Sequence, residues 1–135
     1  MNSRFVREFL VNFITMEIAI IAHDGKKAEM VQFLNEHKTI LHQKNIELIS
    51  TGTTGTKAEK AGFKVTKYLS GPYGGDAQIA SRVAEGKCKM VLFFRDPHEK
   101  HPHEPDISML LRLCDVHDVP LATNPATAEL LMKAI

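Results

Sequence analysis

The sequence predicts an α/β domain, a three-layer sandwich built on a mostly parallel, five-stranded, Rossmann-type sheet. Three observations carry this. Short β-rich runs alternate with helix-period stretches along the whole chain, the rhythm of crossover connections. The run Met90-Val91-Leu92-Phe93-Phe94 has no polar interruption, which suits a strand buried on both faces. Each β-rich run is followed by a polar loop rich in Gly, Thr, His or Asp, the residues that ligand sites at the carboxyl ends of parallel strands draw on.

Taken in order, residues 1–15 read as an amphipathic leader ahead of a single domain at residues 16–135. Arg4 and Arg7 precede FLVNFI, the layout of a signal peptide, but the apolar core is short and no small-residue cleavage site follows. Met16 stands as an alternative start. The apolar stretch from Phe9 to Ala22 is interrupted by Asn12, Thr15 and Glu17, so it does not read as a membrane span, which needs about 20 mostly apolar residues.

The five expected strands are Glu17–Ala22, Ile46–Ser50, Lys64–Leu69, Met90–Phe94 and Pro120–Ala122. Lys64–Leu69 alternates polar and apolar residues, as an edge strand does. Helical spacing of Met30, Val31, Leu34, Ile40 and Leu41 predicts a helix over Lys26–Lys44. Ile79, Ala80, Val83 and Ala84 predict one over Asp76–Glu85. Leu110, Leu111, Leu113 and Cys114 predict one over Asp106–His117, and Ala126–Lys133 closes the chain.

Composition bounds the partners. The 135 residues fit one domain, and 44% hydrophobic with 24% charged is ordinary globular usage. A net charge of +1 supplies no field for nucleic acid, so an anionic ligand has to be held by local geometry. Cys88 and Cys114 make no disulfide framework and read as reduced thiols.

The loops after the strands hold the chemistry. Thr51-Gly52-Thr53-Thr54-Gly55-Thr56 has the makings of an anion cradle: glycines admit a close backbone, threonines offer hydroxyls, and a following helix presents free amides. Lys27 would add a point charge. The alternative is an ordinary turn with a Thr helix cap, and the segment matches neither the P-loop nor the GxGxxG pattern. In Ser70-Gly71-Pro72-Tyr73-Gly74-Gly75-Asp76, the acid is either a helix N-cap or a general base facing a small substrate. The loop from Arg95 to Asp106 carries His98, His101 and His103. It reads as a metal site, as an exposed loop whose Asp106 caps the next helix, or as the source of one His acting as electrophile. His23, at the end of a buried strand, is either a satisfied structural group or a ligand contact. No serine or cysteine nucleophile signature is present.

With these residues in view, the sequence resembles the methylglyoxal synthase family from about Glu17 to Leu131. The shared blocks are IAxxAHD (Ile18–Asp24), TGTTG (Thr51–Gly55), LSGPxGGD (Leu69–Asp76), FFxDP (Phe93–Pro97), PHxPD (Pro102–Asp106), LLRL (Leu110–Leu113) and ATNxATA (Ala122–Ala128). The resemblance implies the methylglyoxal synthase-like fold. It also implies a lyase that converts dihydroxyacetone phosphate to methylglyoxal and inorganic phosphate, with no metal or organic cofactor, as a cytoplasmic homohexamer. Carried over block by block, Asp76 is the catalytic base and acid, and His103 is a catalytic and substrate contact. His23, Lys27, Thr51, Gly52, Thr53, Thr54, Ser70 and Gly71 are substrate and phosphate contacts. Asp24, Asp96 and Asp106 are further acidic site positions, while His98 and His101 fall outside the blocks. Relatives often continue into a short tail with a basic residue near the phosphate, and this chain stops at Ile135.

Two other classes share the scaffold or the chemistry. A regulatory module like that of carbamoyl phosphate synthetases would bind a phosphorylated molecule without turnover. Carboxylates in its pocket would repel that ligand, and the set Asp76, His103 and Asp106 therefore favours an enzyme. An isomerase would make the same enediolate, and product identity separates the two.

Overall fold

The structure is a computed structural model that describes residues 15–98 and 107–135. Five parallel strands form one sheet: β1 (Met16–Ala22), β2 (Ile46–Ser50), β3 (Val65–Lys67), β4 (Cys88–Phe94) and β5 (Leu121–Ala122). Their order is β3-β2-β1-β4-β5. The chain winds outward from β1 to β3, then returns to the other side of β1. The switch point of the sheet therefore lies between the carboxyl ends of β1 and β4.

The helices are α1 (Lys27–Glu36), α2 (Lys38–Leu41), α3 (Gly52–Lys60), α4 (Gly75–Ala84), α5 (Ile107–Val116) and α6 (Pro125–Met132). Short 3₁₀ turns at Asp24–Lys26 and Gly71–Tyr73 lead into α1 and α4. Both faces of the sheet are covered. Ile18, Ile20, Leu92 and Phe94 pack on one side with Met30 and Leu34 of α1, Ala58 of α3 and Met132 of α6. Ala19, Ile21, Val91 and Phe93 pack on the other with Ile79 and Val83 of α4 and Leu110 and Cys114 of α5. Adjacent residues of β1 and β4 thus face opposite cores, which is why these strands read as unbroken apolar runs.

Several boundaries differ from expectation. The helix expected over Lys26–Lys44 breaks at His37, whose backbone leaves helical geometry (φ −113°, ψ 19°) and whose ring packs at a tilt against Phe33 and bonds Glu129. The TGTTG block is not a loop before a helix: α3 already starts at Gly52. β3 is only three residues long, and Tyr68 N–H extends its pairing to Ser50 O at 2.8 Å. β5 starts at Leu121, because Pro120 has no N–H to give, although its carbonyl still accepts from Val91 N–H. Ala84 and Leu111, expected on the buried faces of their helices, are exposed. Among the described residues, no helix is long and apolar enough to cross a membrane.

Candidate active site

The loops after β1, β2, β3 and β4 leave the same edge of the sheet. β1 ends in His23, whose backbone N–H donates to Phe94 O at 3.1 Å and continues the β1–β4 pairing by one rung. The ring then turns back to β4. Asp96 N–H donates to His23 Nδ1 at 2.9 Å, and Phe93 packs against the ring edge-on at 5.3 Å. His23 is 6% exposed, and its Nε2 is buried without a hydrogen-bond partner among the described residues.

Lys27 begins α1 just behind this residue. Its buried Nζ donates to Ala22 O at 3.1 Å and to Asp24 Oδ1 at 2.6 Å. The amine is thus held at the end of β1 and not left to sweep through solvent, which fixes a positive charge at the edge.

After β2, Thr51 precedes α3 in extended conformation and makes no side-chain cap, so the first turn of the helix is not closed by a hydroxyl. The turn-with-Thr-cap reading is therefore not what forms. Thr51 and Thr54 are buried, Thr53 is exposed, and Thr54 Oγ1 is buried with no partner among the described residues. The loop from β3 presses on this turn: Gly52 N–H reaches Leu69 O at 3.4 Å, and a Cβ at Gly52 would sit 2.8 Å from Ser70 Oγ. A side chain there would displace Ser70.

The Ser70–Gly75 segment is tightly built. Gly74 has φ 98°, a left-handed conformation that favours glycine, and a Cβ on Gly75 would lie 1.6 Å from Leu69 O. Gln78 Oε1 accepts Leu69 N–H at 2.9 Å and ties the loop to the first turns of α4. The N-cap of α4 is Gly74, not Asp76. Asp76 lies within the first turn, half-buried, with Oδ1 accepting Ala77 N–H at 3.0 Å and Oδ2 unbonded among the described residues. Of the two readings of this residue, the N-cap is the one the helix start removes.

After β4, Asp96 Oδ1 accepts the N–H of His98 at 3.0 Å. Asp24 is exposed and paired with Lys27. The structure thus brings His23, Asp24, Lys27 and Asp96 together around the switch point. It joins Thr51, Gly52, Thr53 and Thr54 to Ser70 and Gly71 beside it, with Asp76 on the same loop connection. His101, His103 and Asp106 lie outside the described residues. Among those described, Glu36, His37 and Glu129 hold potential ligand atoms within 4.8 Å of one another, but at the far end of α1 from Lys27, with His37 Nε2 bonded to Glu129 Oε1 at 2.8 Å.

Sequence reasoning missed two contributors. One is the backbone amide of Asp96, since a backbone group leaves no residue-type signal. The other is Gln78, whose spacing from Leu69 means nothing until the turn between them is known.

The chain matches the family described as MGS-like domain over residues 29–123. A methylglyoxal synthase of Clostridium beijerinckii is 54% identical over 119 residues, covering 87% of this chain and 98% of that protein. The chain belongs to the methylglyoxal synthase family. A second methylglyoxal synthase, from Geobacillus, is 54% identical over 121 residues, which are 89% of this chain and 85% of that one. The crystal structure of methylglyoxal synthase from Elizabethkingia anophelis has the same fold, with a TM-score of 0.83 and 39% identity over 87% of this chain and 77% of that chain. The doubly wound sheet and the family resemblance read from the motifs thus hold.

Proposed function

We propose that this member of the methylglyoxal synthase family is a carbon–oxygen lyase acting on dihydroxyacetone phosphate, with residues 16–135 working as one domain. The observation that carries the reading is the pair of buried, unpartnered polar atoms, His23 Nε2 and Thr54 Oγ1, at the carboxyl ends of adjacent strands. A buried polar group without a partner costs roughly 1–3 kcal/mol, and a ligand oxygen removes that cost on binding.

In this reading the phosphate sits at the open first turn of α3. It contacts Thr51, Gly52, Thr53 and Thr54, with Ser70 and Gly71 closing the far side and Lys27 supplying charge. Asp76 removes a proton from the hydroxymethyl carbon next to the carbonyl, leaving an enediolate. His103 polarises that oxygen, a role that comes from the resemblance. The carbon–oxygen bond to phosphate then breaks with its electron pair leaving on phosphate, and the enol product tautomerises to methylglyoxal. Holding that bond perpendicular to the enediolate plane makes elimination outrun isomerisation, and this is the task we assign to the Thr53–Thr54 turn. Asp24, Asp96 and Asp106 are further acidic positions of the site. Inorganic phosphate is both product and competitor. The chemistry as written needs no metal or organic cofactor.

We infer from the resemblance a cytoplasmic homohexamer. Tyr73 is 78% exposed and Leu69 52%, and both are apolar surfaces beside Asp76 that a subunit contact would cover. Native mass measurement tests the assembly. Incubation with dihydroxyacetone phosphate, following methylglyoxal and phosphate together, tests the activity. Both products in equal amounts support the lyase. Glyceraldehyde phosphate in their place means an isomerase. Neither product, with phosphate still raising the melting temperature, means a binding module.

A further inference from the structure

The environment of His23 defines more than a contact. Its backbone N–H and its ring both bond to the exit of β4, to Phe94 O and from Asp96 N–H respectively. A ring nitrogen that accepts an N–H has its lone pair free, so Nδ1 carries no proton and the ring proton of the neutral imidazole resides on Nε2. That Nε2 is the buried atom with no partner. The donor of this bond is a main-chain group, so the bond depends on where the backbone at Asp96 is held and not on the protonation state of its side chain.

Asp96 is itself immobilised. Arg95 N–H bonds to Thr123 O on the β5 side, Asp96 Oδ1 takes the N–H of His98, and Asp96 Oδ2 rests against the β1–α1 turn. A Cβ on Gly25 would meet that oxygen at 2.7 Å, so a side chain there would have to displace the Asp96 carboxylate and the backbone that carries it. The two strands that flank the switch point therefore set one ring by mutual contact.

We propose that the β4 exit locks His23 as the neutral Nε2–H tautomer, so that His23 is a hydrogen-bond donor to an oxygen of the bound ligand and not a base, with Asp96 and Gly25 as positioning residues. The inference rests on the proposed function only for the presence of an oxygen-bearing ligand. A base at Nε2 would need the opposite tautomer, in which Nδ1–H would face the Asp96 N–H head-on.

The test reads the tautomer directly. In the full chain with 15N-labelled histidine and no ligand, long-range proton–nitrogen correlation at neutral pH should show one His23 form, pyrrole-type Nε2 and pyridine-type Nδ1, assigned by its loss in His23→Gln. A Nδ1–H or doubly protonated ring overturns the proposal. Two further variants separate a donor from a structural ring. His23→Gln keeps an N–H group near Nε2, whereas His23→Asn keeps an acceptor near Nδ1 and loses the donor. His23→Gln should retain at least about 10-fold more kcat/KM than His23→Asn, the scale of one hydrogen bond. The reverse order means that only the Asp96 contact matters and also overturns the proposal. Gly25→Ala should bring in a second tautomer signal at little change in melting temperature, and an unchanged single signal would remove Gly25 from the device. Methylglyoxal formation by a protein with the wrong tautomer refutes this inference alone. The right tautomer without methylglyoxal refutes the proposed activity alone.

Discussion

The two edges of the sheet treat buried polarity in opposite ways. At the amino edge, the carboxylate of Glu17 is buried at the start of β1 and is met by the guanidinium of Arg82 near the end of α4, in a two-pronged contact through Nε and Nη2. The bond to Glu17 holds the Arg82 guanidinium above even its usual high pKa. A cavity of about 520 Å³ opens at the same edge among Leu41, His42, Ile46, Leu48, Phe63 and Lys64, and none of its lining atoms is a buried polar group without a partner. At the carboxyl edge, His23 Nε2 and Thr54 Oγ1 are buried and unmet among the described residues. The difference is one of closure: the Glu17–Arg82 pair joins β1 to α4 with its polar atoms satisfied, whereas the two atoms at the carboxyl edge are the ones our proposal gives to a ligand.

The largest effect is expected from Asp76→Asn. Turnover should fall about 10³-fold while inorganic phosphate still raises the melting temperature, because only the proton acceptor is lost. Near-normal steady-state rates would remove Asp76 from the chemistry. Arg82→Ala should do the reverse. It leaves Glu17 buried without its countercharge and lowers unfolding free energy by roughly 3 kcal/mol in urea titrations, with kcat/KM of the folded fraction unchanged. A loss of activity larger than the loss of stability would show that the edges are coupled.

Thr54→Val changes a single polar atom of the carboxyl edge. It exchanges an unbonded hydroxyl for a methyl group of similar shape. The melting temperature should hold or rise slightly, while phosphate affinity measured by calorimetry drops about 10-fold. A destabilised protein with intact phosphate binding would mean that the hydroxyl serves the fold.

The smallest effect expected is in the core under α4 and α5. Burial pushes the thiols of Cys88 and Cys114 up to about 11 from an ordinary value of 9.0. A raised acid favours its neutral form in the folded state, so this contribution is complete below pH 9 and is lost as pH rises toward 11. Urea midpoints at pH 8 and pH 10.5 should fall less in a Cys88→Ala/Cys114→Ala double variant than in the unaltered chain. Equal falls would show that the thiols play no part.

Most of the architecture was legible because it depends on pattern. A parallel sheet covered on both faces needs unbroken apolar strands, and EIAIIA and MVLFF show them without any knowledge of neighbours. The candidate site was legible as residue types, because acids, threonines and glycines collect in loops that such a sheet brings to one edge. Helix ends were less legible. His37 interrupts a regular apolar spacing through contacts with Phe33 and with Glu129, which is 92 positions away. The start of α3 inside TGTTG was hidden because Thr and Gly favour turns as readily as helix starts.

By itself, then, the sequence determined the fold class, the edge at which chemistry gathers, the family, and Asp76 with the threonine turn as the residues to watch. The fold class and the edge follow from local periodicity and residue chemistry, which every segment carries within itself, while the family and the choice of Asp76 rest on the resemblance of the motif blocks. The tertiary structure alone decided which strand ends meet at the switch point, that Asp76 lies past the cap of α4, and that the amide of Asp96 turns the ring of His23. Those depend on contacts between segments distant in sequence and on backbone groups that every residue possesses, so no local pattern can record them.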